Sequence, residues 1–281
     1  MIARPKHPDH PGPRATDSAI QTMASLKKRI LRGDRLTGGW LSLSSPIAAQ
    51  IMAEAGYDVL MIDLEHTASD YLSAISLMQA VQAGGGTPVI RCSSADVVDI
   101  KRTLDAGPAG IMVPNIRDAA HAREVVAHCR YAPEGDRGAA PGYIRATAYS
   151  GNRVPDYLRA MREDFLLIIQ VESAGAVSEI DAIAATDGVD MVFIGPADLS
   201  ASLGRVGDFS SAAFTEAFAR IESRTLAAGT ALGCITFADW TAGRLYANGH
   251  QLVLAGADAM LLAAAAAGDR QELSAALEQQ A

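Results

Sequence analysis

Chemistry-bearing side chains of the 281-residue chain recur where short apolar runs end. Asp63, Glu65 and His66 close VLMIDLEH, Arg91 closes PVIR, Gln170 and Glu172 close LLIIQVE, and Asp198 follows MVFIGPA. Glu172 and Asp198 come from separate segments and are hard oxygen donors. Such a pair can hold Mg²⁺ or Mn²⁺ and leave positions for water and a chelating substrate. Gln170 and Glu172 stand two apart, so in a strand they share a face. His66 titrates near neutrality beside two carboxylates, which suits a general base whose tautomer a neighbour fixes. Arg91 stays charged and must meet an anion or a carbonyl oxygen. Each residue also has a plainer reading. Asp198 can be a helix N-cap, Glu172 an ion-paired strand end, His66 a structural histidine and Arg91 half of a salt bridge.

Bringing those ends together is the task of the fold. Eight β-prone runs are spaced too widely for hairpins: residues 39–43, 59–65, 88–92, 110–114, 166–172, 191–195, 231–237 and 251–256. LLIIQVE and MVFIG are apolar without alternation, as parallel strands covered on both faces require. Segments between them, such as IAAQIMAEAG, YLSAISLMQAVQAG and FTEAFARIESRTLAAG, carry one apolar face and end on glycine, as helices do. Eight βα units predict a closed (β/α)₈ TIM barrel, in which catalytic groups stand at the C-terminal ends of the strands. A doubly wound sheet is the alternative, but the Gly-rich nucleotide turn it usually carries is missing.

Composition narrows the classes. The chain is 49% hydrophobic and 20% charged, which suits a large core and excludes general disorder. With 24 Lys and Arg against 32 Asp and Glu, the formal charge is −8, which argues against broad binding to nucleic acid or anionic membranes. No apolar run approaches the ~20 residues of a membrane span. Cys92, Cys129 and Cys234 are odd in number and far apart, and read as free thiols of a cytoplasmic protein. Residues 1–22, with Pro5, Pro8, Pro11 and Pro13, read as a flexible tail without a secretory signal, and residues 23–281 as one barrel domain with a C-terminal helix. His7 and His10 fall in that tail, and His121 and His128 read as surface residues of one helix. Residues 131–156, rich in Gly, Pro and Arg, read as a long loop on the active face. The only lysines are Lys6, Lys27, Lys28 and Lys101, none at a strand end, so Schiff-base and pyridoxal chemistry is excluded and an electron sink must be a metal.

The order and spacing of GYDVLMIDLEH (56–66), PVIR (88–91), IKRTLDAGPAGIMVP (100–114), RYAPEGDRG (130–138), QVES (170–173) and GVDMVFIGPADLSASLG (188–204) carry a family resemblance. The chain resembles the metal-dependent class II pyruvate aldolases of the 4-hydroxy-2-oxoheptanedioate and 2-dehydro-3-deoxyglucarate aldolase type. The resemblance runs from about Leu26 to Leu262. It implies a (β/α)₈ barrel that assembles as a homo-oligomer, a hexamer or trimer of dimers with exchanged C-terminal helices. It implies reversible cleavage of a 4-hydroxy-2-oxo acid to pyruvate and an aldehyde, with Mg²⁺, Mn²⁺ or Co²⁺ as cofactor. Carried over by residue, Glu172 and Asp198 are the metal ligands, with Gln170 beside the pyruvate and Arg91 at its C2 oxygen. His66 is the base, assisted by Asp63 and by Asp105 from an adjacent subunit. Gly195, Pro196 and Ala197 offer backbone N–H groups to the pyruvate carboxylate, and Trp40 and Ile235 stand near the aldehyde. Cys92-Ser93-Ser94 and Pro108 depart from the usual pattern. Carbon–carbon bond-forming variants on the same scaffold, of citrate-synthase or macrophomate-synthase type, are the alternative activity. A noncatalytic binding barrel is the alternative from another class.

Overall fold

The computed structural model describes residues 25–279. The segment expected to be a tail, with His7, His10 and Lys6, lies outside the described residues. Eight parallel strands close into one barrel in chain order. They are β1 Leu36–Leu41, β2 Val59–Asp63, β3 Thr87–Arg91, β4 Gly110–Val113, β5 Leu166–Val171, β6 Met191–Ile194, β7 Ala231–Ile235 and β8 Leu252–Ala257. Each overlaps one of the eight apolar runs. Strands β2, β4, β5 and β6 are buried at every position, which is why they read as unbroken apolar stretches.

Helix α1 covers residues 25–31 of the described chain. It is followed by α2 Pro46–Glu54, α3 Tyr71–Ala83, α4 Val97–Ala106, α5 Ala119–Cys129, α6 Val154–Glu163, α7 Ala174–Ser178, α8 Ile180–Ala184, α9 Pro196–Ser202, α10 Ala212–Ala227, α11 Ala242–Ala247 and α12 Asp258–Glu278. Side chains satisfy the free N–H groups at several helix starts. Ser45 caps α2, Asp70 caps α3, Asp96 caps α4 and Asp118 caps α5. These caps set where each strand-to-helix loop ends, and so the depth of the barrel mouth. None of the described helices is long and apolar enough to cross a membrane.

The loop expected on the active face lies at the opposite end. It follows α5, and a helix-to-strand connection returns to the N-terminal ends of the strands. Arg145 Nη1 donates to the carbonyl of Ala106 at 2.7 Å, and Arg137 Nη2 pairs with Asp105 at 2.6 Å, both at the C-terminal end of α4. Two 3₁₀ turns, Arg145–Thr147 and Gly151–Arg153, and a small cluster of Ile144, Ala146 and Tyr157 order the segment. His121 is buried rather than superficial: its Nδ1 accepts from the Arg117 backbone N–H at 3.3 Å. His128 pairs with Asp136.

Close approach of neighbouring strands fixes one glycine. A Cβ on Gly110 would stand 2.8 Å from the Leu166 carbonyl oxygen and 3.0 Å from the Leu166 Cβ, so β4 and β5 must separate to admit it. Gly142 has nothing within 4 Å. Gly110→Ala is therefore expected to lower unfolding free energy by about 1–3 kcal/mol in urea titration. Gly142→Ala is expected to be neutral or to stabilise by up to about 1 kcal/mol. Equal effects of the two substitutions would contradict this packing.

Candidate active site

The C-terminal ends of the strands surround a cleft of about 260 Å³ lined by Trp40, Ser42, Asp63, His66, Arg91, Gln170, Phe193, Gly195, Pro196, Ala197, Asp198, Ile235, Ala257 and Met260. Every site residue expected from the sequence is in this lining except Glu172 and Asp105. Glu172 stands just after β5 and directly behind Gly195, where an added Cβ would collide with its Oε2. It is 3% exposed.

Register places Asp63 opposite Arg91 on neighbouring strands β2 and β3. The pair is bidentate: Arg91 Nε donates to Asp63 Oδ1 at 2.9 Å and Nη2 donates to Oδ2 at 2.8 Å. Burial raises the Asp63 carboxyl, but the hydrogen bonds and charge of Arg91 outweigh it and hold the group below the usual carboxylate range. The guanidinium lies over the Trp40 ring, 4.4 Å from its centroid. Its Nη1 is 3.3 Å from Glu65 Oε2. Two of the three guanidinium nitrogens are thus tied to Asp63, and Nη1, whose two N–H groups face Glu65 on one side, keeps one of them for a ligand.

Asp63 was expected to assist His66 and does so only through the backbone. Asp63 Oδ1 accepts from the N–H groups of Glu65 at 3.0 Å and His66 at 3.4 Å, which shapes the β2–α3 loop. The imidazole itself is 61% exposed, and the nearest carboxylate oxygen in its own chain is Glu65 Oε2 at 3.8 Å from Nε2. Asp105 is not in this mouth. It sits at the far end of α4, bound to the buried Arg137, because α4 runs from the mouth toward the base of the barrel.

Glu172 has two fixed hydrogen bonds. Its Oε1 accepts from the Asn115 backbone N–H at 2.8 Å, and its Oε2 accepts from Gln170 Nε2 at 2.5 Å. Burial pushes its carboxyl up to about 7; the Asn115 hydrogen bond opposes this, and the charges of Asp198 and Glu65 add to it. Burial likewise raises Glu65, against the attraction of Arg91. Asn115 escaped the sequence reading. It follows β4 at φ 57°, a left-handed conformation that asparagine tolerates, and its side chain donates to Glu65 at 3.1 Å. Its position two residues past the end of β4, after Pro114, was the available signal.

Asp198 is the third residue of α9, whose N-cap is Gly195 and which has no side-chain cap bond, so the N-cap reading of Asp198 does not hold. Of the three residues expected to offer backbone N–H groups, Pro196 has none and Gly195 donates to the Val171 carbonyl at 3.4 Å. Ala197 alone keeps a free N–H, in the first turn of α9. The residues fit a hard divalent cation. Asp198 lines the cleft and Glu172 stands behind Gly195 beside it, near enough that the charge of Asp198 raises the Glu172 carboxyl. The Gln170 Oε1 beside them is buried without a hydrogen-bond partner. A bound cation relieves that crowding, because it favours the ionised form of each carboxylate. Lys27, Lys28 and Lys101 do not line the cleft.

Residues 36–265 match the family model described as HpcH/HpaI aldolase/citrate lyase. The chain belongs to that family. It is 40% identical over 240 residues to a hydroxypyruvate/pyruvate aldolase of Delftia acidovorans, covering 85% of this chain and 88% of that one. It is 37% identical over 246 residues to a 4-hydroxy-2-oxo-heptane-1,7-dioate aldolase of Shigella sonnei, covering 86% and 92%. The solved structure of a family protein from Burkholderia cenocepacia superposes with TM-score 0.84 at 38% identity, covering 89% of this chain and 99% of that one. The protein is accordingly a carbon–carbon lyase of the class II aldolase type.

Arg91, buried against Asp63, and His66, exposed at the rim, differ in what they contribute to stability. Asp63→Asn removes the bidentate partner of a buried guanidinium and leaves it only the longer contact with Glu65, and is expected to cost about 3 kcal/mol of unfolding free energy. His66→Ala, at an exposed side chain, is expected to stay within about 0.5 kcal/mol of the parent. Urea titration of both variants checks this; an Asp63→Asn protein as stable as the parent would contradict the pairing.

Proposed function

We propose that the protein cleaves a 4-hydroxy-2-oxo acid reversibly to pyruvate, or a close 2-oxo acid, and an aldehyde. The observation that carries this reading is the meeting of Asp198, Arg91 and His66 in one cleft, with Glu172 buried behind Gly195 at its wall. Relatives named hydroxypyruvate/pyruvate aldolase and 4-hydroxy-2-oxo-heptane-1,7-dioate aldolase support it.

A divalent cation, Mg²⁺, Mn²⁺ or Co²⁺, would be held by Glu172 and Asp198 and would supply Lewis-acid chemistry to the bound 2-oxo acid. The chain's own groups do the rest. Arg91, locked by Asp63, directs Nη1 at the C2 oxygen, so charge developing there as C3–C4 breaks meets a donor that needs no reorganisation. The Ala197 N–H donates to the substrate carboxylate. Gln170, bonded to Glu172, fixes that side chain against the substrate. His66 removes the C4 hydroxyl proton: C4 becomes the aldehyde carbonyl, and the electron pair of the broken bond becomes the C2–C3 double bond of an enolate. Protonation at C3 then gives pyruvate. General-base action of this kind contributes roughly 10²- to 10⁴-fold. Asp105 of a second copy is the further carboxylate assigned to His66, whose nearest one among the described residues of its own chain is Glu65 at 3.8 Å. The homo-oligomer that this requires has a ready surface in α12, where Met260, Leu261, Leu262, Leu273 and Leu277 are exposed. Three free, buried cysteines support a cytoplasmic setting.

Pyruvate release from a 4-hydroxy-2-oxo acid is expected to fall at least ~100-fold on chelation and to return with Mg²⁺, Mn²⁺ or Co²⁺. Glu172→Gln is expected to weaken Mn²⁺ binding and lower kcat/KM by about 10³-fold, consistent with loss of a charged ligand. Release at an unchanged rate without metal would overturn the reading.

A further inference from the structure

The ion pair of Asp105 and Arg137 does nothing for the mouth of its own barrel. Asp105 is the last residue but one of α4, where a negative side chain opposes the helix dipole. The carbonyl end of that helix is already served by Arg145, which donates to the Ala106 carbonyl oxygen at 2.7 Å. The Arg137 side chain is fully buried, and its Nη2 donates to Asp105 Oδ1 at 2.6 Å. Its Nε and Nη1 have no hydrogen-bond partner among the described residues. Being sealed from solvent, they are equally out of reach of a second copy. A guanidinium with one counter-charge and two idle nitrogens is a cost to folding.

What the pair gives in return is a fixed direction. Residues 131–137 fold back on the end of α5: the N–H of Gly135 donates to the Tyr131 carbonyl at 3.2 Å, that of Asp136 to Ala127 at 3.1 Å and that of Arg137 to Arg130 at 2.9 Å. Gly135 lies so close to that end that a Cβ would collide with the Ala127 carbonyl oxygen. The guanidinium is held over the Tyr131 ring, 4.5 Å from its centroid, with the Tyr157 ring at 5.7 Å. Asp105 keeps 26% of its side chain exposed, and only its Oδ1 is engaged by the described residues. A carboxylate clamped by one oxygen, with the other facing outward, is an acceptor presented to another molecule. The imidazole of His66, 61% exposed at the rim of the mouth, is a donor without a close acceptor in its own chain. Resting on the proposed aldol reading, in which Asp105 of a second copy serves His66, we infer that Arg137 is a positioning residue that acts across the subunit boundary. It holds Asp105 Oδ1 so that Oδ2 meets the imidazole of the neighbouring copy. Arg137 touches neither substrate nor His66. It acts through Asp105, which fixes the tautomer that accepts the C4 hydroxyl proton.

The test is complementation between copies, in metal-loaded protein cleaving a 4-hydroxy-2-oxo acid. Arg137→Met, which fills the buried space without a charge, and Asp105→Asn are each expected to lower kcat at least about tenfold with KM within about threefold of the parent. The double variant is expected to stay within about twofold of Asp105→Asn alone, since one residue acts through the other. Deuterium exchange into the pyruvate methyl group in D₂O needs no C4 hydroxyl and is expected to stay within about threefold of the parent in each variant, reporting a folded, loaded site. Co-expression of Arg137→Met chains with His66→Ala chains is expected to restore about one quarter of parental cleavage, because a complete site draws its imidazole from one copy and its clamped carboxylate from the next. Three results would overturn the inference: no restoration from that mixture while Asp105→Asn with His66→Ala is restored, a double variant well below Asp105→Asn, or Arg137→Met cleaving at the parental rate while Asp105→Asn does not. Should Arg137→Met lose exchange as well as cleavage, Arg137→Lys, which keeps the charge but not the fork, takes its place in the same measurements with the same expectations. Parental cleavage by Asp105→Asn defeats the assignment of Asp105 to His66 and the inference with it. Absence of exchange in the parent defeats the aldol reading itself.

Discussion

Like charges held together out of water are the constraint from which the rest of this site follows. Glu172 is buried, and the charges of Asp198 and Glu65 raise its carboxyl further, to about 7. A fold does not gain stability from such crowding. The barrel tolerates it because each carboxylate is held by something else: Glu172 by Asn115 and Gln170, and Glu65 by Asn115 and Arg91. A divalent cation turns that cost into attraction, which links the stability of the mouth to its chemistry.

The Asp63–Arg91 pair is the second organising contact. It forms across two neighbouring strands in register, so its geometry is set by the barrel itself rather than by a loop. Through it one cation is presented with a single nitrogen to spare, and the Trp40 ring beneath holds the guanidinium plane. Asp63 also fixes the backbone at Glu65 and His66. His66 is thereby placed at the rim with its imidazole open to the cleft.

Much of this was legible in the sequence, for physical reasons that also mark where legibility ends. Strands buried on both faces leave unbroken apolar runs, so all eight were visible, although β1 begins at Leu36 rather than at Gly39. The rule that chemistry collects at strand ends found Asp63, His66, Arg91, Gln170, Glu172 and Asp198, because polar groups at the end of an apolar run are conspicuous. What could not be read was pairing across space. Asp63 looked like the partner of nearby His66, but register gives it to Arg91. Asn115 contributes mainly a backbone N–H, which every residue type but proline carries, and Asp258 closes on Ser42 across most of the chain. The segment 131–156 was placed at the mouth on composition alone, whereas its place after α5 puts it at the base.

The central claim, that Glu172 and Asp198 together hold the cation, is tested most directly by anomalous diffraction from crystals soaked with Mn²⁺ and pyruvate. The account predicts one manganese peak within bonding distance of both carboxylates, with pyruvate on its open side toward Arg91. Manganese bound elsewhere in the cleft, or none at saturating concentration while pyruvate release continues, would contradict it.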